Sequence, residues 1–175
     1  MQNAARQNTT KELVITGLSI ALVFVATCFI NIRLPIGQGG LIHLGNVPLF
    51  LIAILFGKKI GALAGAFGMG LFDLMGGWTP WAPATFVIVG LMGYIVGWIA
   101  EHKDDMTGYV LAILAACSIK IVGYYIAEAL IYGNWMQPIL SVPGNLLQIG
   151  VATVIVLPVI GVLKKALKRE VGFVR

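Results

Sequence analysis

Charged residues are scarce in this sequence of 175 residues. Only 11% are Asp, Glu, Lys or Arg, whereas 59% are hydrophobic, and the mean hydropathy is +0.94. Soluble domains carry about a quarter charged residues, and a chain this short cannot bury so much apolar surface in one aqueous core. Disorder requires the opposite composition, low hydrophobicity with high charge. The scarcity of charge therefore predicts an integral membrane protein that crosses the bilayer several times.

Familiar catalytic and metal-binding motifs are also lacking. No G-x-x-x-x-G-K-[ST] loop occurs, and Gly57-Lys58-Lys59 lacks the upstream glycine and the hydroxyl residue of that motif, so we expect no ATP hydrolysis by this chain. H-E-x-x-H, paired-cysteine and G-x-S-x-G patterns are absent as well. Cys28 and Cys117 fall in different apolar segments, and His43 and His102 fall on opposite sides of the predicted membrane. We therefore predict no catalytic residues, no metal and no cofactor.

Six apolar segments are predicted to cross the membrane, because a spanning helix needs about 20 mostly apolar residues. They lie at 13–32, 41–57, 60–75, 82–100, 106–132 and 139–163. The second and third segments are short, and the break at 57–59 could be a hairpin tip, so five spans is the alternative count. The predicted fold class is an all-α polytopic membrane protein with a single domain over residues 1–175.

The basic residues indicate the orientation of these spans. Cytoplasmic loops are enriched in Lys and Arg. If both termini are cytoplasmic, Arg33 is the only basic residue that falls on the outer side. Those on the inner side are Arg6, Lys11, Lys58, Lys59, Lys103, Lys164, Lys165, Lys168, Arg169 and Arg175. They form short clusters beside the spans without interleaved aromatic residues. The net charge of +5 is thus interpreted as a topology signal in a bacterial cytoplasmic membrane and not as a nucleic-acid interface.

Polar residues within the last two spans are candidates for a binding site. Lys120, Tyr124 and Glu128 follow an i, i+4, i+8 spacing that puts them on one helix face, and Asn145 and Gln148 share a face of the next span. Charged side chains within a bilayer are costly unless they are paired or face a polar cavity.

Lys120 and Glu128 are separated by about 12 Å of helix rise, which is too far for direct contact. Each then needs its own partner. A ligand cavity could supply it, and so could internal pairing with Asn145, Gln148 or Asp73.

The predicted outer loop at 31–42 contains Arg33, Pro35, Gly39 and Gly40 and is a candidate lid over this cavity. His43 opens the following span. Asp73 ends the third span, where a carboxylate could gate the cavity or simply be hydrated. Two tryptophans, Trp78 and Trp81, share a loop with two prolines; interfacial anchoring and ligand contact both remain open for them.

Small residues at spacings of four recur in the spans. Gly61 and Gly65 occur in the third span and glycines at 90, 93 and 97 in the fourth, a pattern typical of close helix packing. Gly17 and Ala21 form a similar pair in the first span. Because that span is terminal, its small face is a candidate contact with another subunit.

The order of several short segments resembles a known family. These are GLIHLGN at 40–46, FGKKIGALAG at 56–65, LFDL at 71–74 and WTPWAP at 78–83. Together they are similar to the substrate-binding S-components of energy-coupling factor (ECF) transporters, and the length and predicted spans extend the resemblance over almost the whole chain. It implies a subunit that captures a vitamin or its precursor outside. Delivery inward would require a transmembrane coupling subunit and two ATPase subunits.

The resemblance also implies roles for particular residues. The positions that match the family's ligand contacts are Lys120, Tyr124, Tyr125, Glu128, Asn145, Gln148 and Trp81. Gly17 and Ala21 match its coupling face, with Gly in place of the usual first Ala. The sequence looks most like the branch associated with pyridoxine or hydroxymethylpyrimidine, and pantothenate, thiamine and riboflavin are the alternative ligands.

Two other function classes stay open at this point. A self-contained secondary transporter would use Lys120, Glu128 and Asp73 as a proton relay, although no internal repeat of the kind many transporters have is obvious. A membrane-embedded enzyme would need a catalytic cluster at one depth, and the sequence contains no such cluster.

Overall fold

The described part of the protein consists mainly of helices. A computed structural model of the chain describes residues 2–29, 31–33 and 41–170. In this part the helices are α1 Gln2–Phe29, α2 Asn46–Phe56, α3 Lys58–Met75, α4 Ala82–His102, α5 Met106–Tyr132 and α6 Val142–Glu170. Two three-residue strands, β1 Asn31–Arg33 and β2 Leu41–His43, pair antiparallel, and a 3-10 helix at Gln137–Ser141 precedes α6. The predicted helical class is therefore confirmed.

The entry into α2 differs from the prediction. A continuous apolar span at 41–57 is wrong, because Leu41–His43 form β2 and the helix begins only at Asn46. The predicted end of the first span at residue 32 is also wrong, because Asn31–Arg33 pair with β2, with Asn31 opposite His43. Strand pairing satisfies the backbone groups of both segments outside the helices. Pro48 then fits within the first turn of α2, where a missing N–H costs nothing.

The helices differ in their fitness to span a bilayer. Four segments in the described part of the chain are long and apolar enough to cross one: Thr9–Phe29, Ala82–His102, Met106–Tyr132 and Gln137–Leu167. The shorter α2 has 11 residues, which rise by about 16 Å, roughly half of a hydrocarbon core. Its Leu49, Phe50 and Ala53 are fully buried. Helices α1, α3, α4 and α6 all contact α2, and the count of six spans stays a prediction.

Glycines bring α3 and α4 into backbone contact. A Cβ atom at Gly65 would lie 2.6 Å from the Val89 carbonyl oxygen, and one at Gly93 would collide with the Gly61 carbonyl. Only the missing side chains allow this approach. The predicted small-residue packing is thus internal for these two helices. By contrast, a Cβ atom at Gly17 on α1 would meet nothing within 4 Å.

The two ends of the helix bundle carry different side chains. At the end that holds the α2–α3 and α4–α5 connections, Lys58 pairs with Glu101 at 3.2 Å and Lys164 pairs with Asp104. The opposite end holds the α3–α4 and α5–α6 connections. There the Trp81 ring lies 5.3 Å from the Trp78 ring and 5.9 Å from that of Tyr132. We call the first the charged end and the second the aromatic end.

Candidate ligand-binding site

A cavity opens at the aromatic end. The empty space within it is about 440 Å³, a figure that includes open solvent at the mouth. It is lined by His43, Asp73, Trp78, Trp81, Lys120, Tyr124, Glu128, Asn145 and Gln148. These residues come from β2, α3, the α3–α4 loop, α5 and α6, so segments that are far apart in the sequence contribute to one site.

Lys120 forms the cationic part of the wall. Its side chain is buried, and the ammonium Nζ donates a hydrogen bond of 2.9 Å to Gln148 Oε1. The same oxygen accepts a longer bond of 3.4 Å from Asn46 Nδ2. The ammonium also lies 5.9 Å from the centre of the Tyr124 ring, within reach of a cation–π attraction. These contacts hold one positive charge in place among α2, α5 and α6.

Glu128 forms a separate anionic part of the wall. Two turns along α5 from Lys120, its buried carboxylate accepts a hydrogen bond of 2.6 Å from the Ser141 hydroxyl. Ser141 is the last residue of the 3-10 helix and is buried as well. Each charge on α5 therefore has its own partner, as the i, i+8 spacing predicts.

Asp73 belongs to a hydrogen-bonded chain across three helices. The Thr85 hydroxyl of α4 lies 2.5 Å from Asp73 Oδ2 of α3 and 3.0 Å from the Tyr124 hydroxyl of α5. A carboxylate only accepts, so Thr85 donates its single proton to Asp73 and accepts from Tyr124. Two cavity-lining groups are thus joined by a residue that does not line the cavity.

His43 lies in β2, outside the helices. Burial, and to a smaller extent the nearby Lys120 ammonium, lower the pKa of the imidazole well below its usual value. Its Nδ1 accepts a hydrogen bond of 3.2 Å from the Gly45 backbone N–H, which leaves the proton of the neutral ring on Nε2. His43 thus adds a neutral donor to the wall.

These groups together suit a small polar heterocycle. Two carboxylates and one ammonium give mixed charge, the amides of Asn145 and Gln148 can donate and accept, and the indole and phenol rings offer flat apolar faces. No grouping of three or more His, Cys, Asp or Glu that could hold a metal ion is present among the described residues. The cavity thus offers flat ring faces and polar groups that an organic ligand could contact.

The structure gathers most of the predicted ligand residues. Tyr125 is the exception: its hydroxyl donates to the Trp135 carbonyl at 2.6 Å, and it does not line the cavity. Tyr125 faces away from this cavity because one helical position turns a side chain by about 100° from the face of Tyr124, and its role as a ligand contact stays a prediction.

The predicted lid is only partly described. His43 and Asp73 do line the cavity. Arg33 lies in β1, and its side chain is outside the described part. Pro35, Gly39 and Gly40 lie outside the described residues.

Sequence reasoning did not find Thr85 and Ser141. A hydroxyl in an apolar helix usually bonds to its own backbone and leaves no pattern that predicts a distant partner. Trp78 was left open by the sequence and lies in the wall.

A bundle of apolar helices around a polar cavity defines a membrane protein that binds a small polar molecule. Residues 7–165 match a family model described as "ECF-type riboflavin transporter, S component". The chain therefore belongs to the S-component family of ECF transporters.

Three similar proteins bear on this assignment. An uncharacterised protein of Pyrococcus woesei is 33% identical over 111 residues, 63% of this chain and 74% of that protein. The thiamine precursor transporter HmpT of Lactococcus lactis is 28% identical over 145 residues, 83% of this chain and 82% of the relative. A solved S component of a bacterial ECF transporter superposes with a TM-score of 0.74 at 21% identity, covering 92% of this chain and 99% of that one. The superposition on the solved S component shows that the two proteins share a fold.

The family match confirms the predicted resemblance to ECF S-components. The branch and its ligand stay predictions. S components are transport subunits rather than enzymes; they bind small vitamin substrates and work with a coupling subunit and an ATPase module. This chain is accordingly a transmembrane ECF transporter component for uptake of a vitamin or vitamin precursor.

Proposed function

We propose that this chain captures a hydroxymethylpyrimidine-type thiamine precursor in the cavity at the aromatic end. The observation that carries the proposal is the composition of that cavity, in which Asp73, Glu128 and Lys120 surround a space bordered by two indoles and a phenol. The relative HmpT, named as a thiamine precursor transporter, supports the choice of ligand.

The chemistry of such a ligand matches the wall. A substituted pyrimidine has a flat ring for contact with Trp81 or Tyr124. Its exocyclic amino and hydroxyl groups can donate to the carboxylates of Asp73 and Glu128, and its ring nitrogens can accept from Lys120 or His43. Pyridoxine offers a similar ring and hydroxyls. An anion such as pantothenate is disfavoured, because it would meet two carboxylates beside a single ammonium.

Riboflavin is the second candidate ligand, because the matching family model is described as a riboflavin transporter S component. It also presents a flat ring with donors and acceptors along its edges. The two candidates are separated by titrating purified protein with hydroxymethylpyrimidine, thiamine, riboflavin and pyridoxine in parallel by calorimetry. Tightest binding of the pyrimidine supports the first assignment, and tightest binding of riboflavin overturns it in favour of the second.

The transport cycle would require partners. We place six spans in a bacterial cytoplasmic membrane with both termini inside, so the charged end faces the cytoplasm and the cavity opens outward. Lys58, Lys103 and Lys164 lie at the charged end, as expected from the distribution of basic residues. Two ATPase subunits and a transmembrane coupling subunit would drive the inward delivery of the ligand.

The coupling subunit would contact α1 around Gly17 and Ala21. Both residues are exposed, together with Val14, Leu18 and Leu22. An unpartnered face with small residues permits close approach of a second helix within a membrane.

The experiment that tests this function is purification of the chain from its native membrane with its partners. Co-purification of a coupling subunit and an ATPase pair, together with ATP-dependent uptake of the bound ligand, is the expected result. Uptake by this chain alone in liposomes, driven by an ion gradient, would instead support a secondary transporter that uses Lys120, Glu128 and Asp73.

A further inference from the structure

Thr85 contacts residues in the wall of the cavity without lining the cavity itself. It lies in the first turn of α4, its side chain is 2% exposed, and it is not among the lining residues. Its hydroxyl nevertheless contacts two residues that are: Asp73 at 2.5 Å and Tyr124 at 3.0 Å. These two come from helices on either side of α4 in the chain.

We propose that Thr85 is a positioning residue, which holds the Asp73 carboxylate and the Tyr124 ring in the one arrangement that the ligand meets. The proposal rests on the proposed function for the identity of the site. Tyr124 donates to Thr85, which donates to Asp73, so the hydroxyl proton of the tyrosine is directed away from the cavity. The tyrosine then offers its ring face rather than its hydroxyl proton to a ligand.

Packing of α3 against α4 makes this contact possible. The glycine contacts at Gly61, Gly65 and Gly93 bring the two backbones together over the first half of α3. Asp73 near the end of α3 and Thr85 near the start of α4 are then joined across the short connection at 76–81. Helices α4 and α5 also approach closely, because Gly123 of α5 has no side chain where it meets Ile88 of α4. A Cβ atom at Gly123 would lie 2.7 Å from that isoleucine, and this close approach brings the Thr85 hydroxyl within reach of α5.

Two substitutions at position 85 and one control elsewhere separate the effect of the hydroxyl from the effect of the side-chain shape. Thr85→Val keeps the branched shape and removes both hydrogen bonds, and Thr85→Ser keeps the hydroxyl and removes a methyl group. Thr153→Val is the matched control, because the Thr153 hydroxyl only donates to the Ile149 carbonyl within its own helix, at 2.7 Å.

The affinity for the tightest-binding member of the panel named above is measured by calorimetry for each variant. Because the lost hydrogen bond is made to a charged group and such bonds are among the stronger ones, Thr85→Val should weaken binding about tenfold or more. Thr85→Ser should bind within about threefold of wild type, and Thr153→Val should bind as wild type. Wild-type affinity for Thr85→Val, or a loss in Thr85→Ser as large as that in Thr85→Val, overturns the proposal.

A second measurement needs no ligand. Thermal unfolding of Thr85→Val, Tyr124→Phe and the double variant forms a double-mutant cycle. A positioning contact predicts that the double variant unfolds close to the less stable single variant, because both remove the same hydrogen bond. Additive decreases in Tm overturn the proposal. If the wild type binds no member of the panel, the proposed ligand class fails, and this cycle still decides the role of Thr85.

Discussion

The ammonium of Lys120 donates a 2.9 Å hydrogen bond to the side-chain oxygen of Gln148, and this contact joins α5 to α6. Lys120 is 2% exposed and Gln148 is 4% exposed. A charge buried to this degree requires such a partner, because an uncompensated charge in a low-dielectric interior is costly. The contact therefore has a structural role, and since both residues line the cavity we propose that it also has a role in ligand recognition.

The structural role of the Lys120–Gln148 contact can be separated from its proposed role in ligand binding by the substitution Gln148→Leu. This change leaves the Lys120 charge buried without its acceptor and should lower the free energy of unfolding by about 2–3 kcal/mol. The double variant Lys120→Met and Gln148→Leu removes the charge too and should recover most of that loss without restoring ligand binding. Thermal unfolding in detergent and calorimetric titration measure the two effects. Equal stability of the single and double variants would contradict this account of the contact.

The glycine contacts between α3 and α4 predict a strong effect of a single methyl group. Gly93→Ala places a Cβ atom against the Gly61 carbonyl and should destabilise the protein by about 1–3 kcal/mol, because backbone atoms cannot move aside cheaply. Gly150→Ala on α6 is the control, since nothing lies within 4 Å of its Cβ position. A comparison of their Tm values checks the prediction. A smaller Tm decrease for Gly93→Ala than for Gly150→Ala would show that the helices do not pack as described.

A substitution on the exposed face of α1 should reduce assembly with the partner subunits without weakening ligand binding. Gly17→Leu adds a side chain where a coupling subunit would approach, so co-purification with the ATPase pair should fall at least tenfold. Ligand affinity of the isolated chain should stay unchanged, because Gly17 is exposed, does not line the cavity, and an added Cβ atom there would meet nothing within 4 Å. Gly161→Leu on the exposed surface of α6 serves as the control and should assemble normally. Assembly of Gly17→Leu at the wild-type level would place the coupling face elsewhere.

The sequence predicted the parts of the site that stand out chemically. Lys120 and Glu128 interrupt an apolar helix, so their spacing alone indicated one face and separate partners. The start of α2 was missed because residues 41–45 are as apolar as a helix would be, and only the pairing of β2 with β1 distinguishes them. Thr85 and Ser141 could not be found from the sequence, because each bonds to a residue on another element. Thr85 lies 39 residues from its partner Tyr124, and Ser141 lies 13 residues from its partner Glu128.

The central claim is that the cavity at the aromatic end binds the ligand, and calorimetric titration of the wild type and of Glu128→Gln tests it most directly. Glu128→Gln keeps the shape of the side chain and an acceptor for Ser141 but removes the charge, whereas Glu101→Gln, at the charged end, is the matched control. We predict that the wild type binds hydroxymethylpyrimidine, that Glu128→Gln weakens this binding about tenfold or more, and that Glu101→Gln leaves it unchanged. Wild-type affinity in Glu128→Gln, or an equal loss in both variants, would contradict the claim.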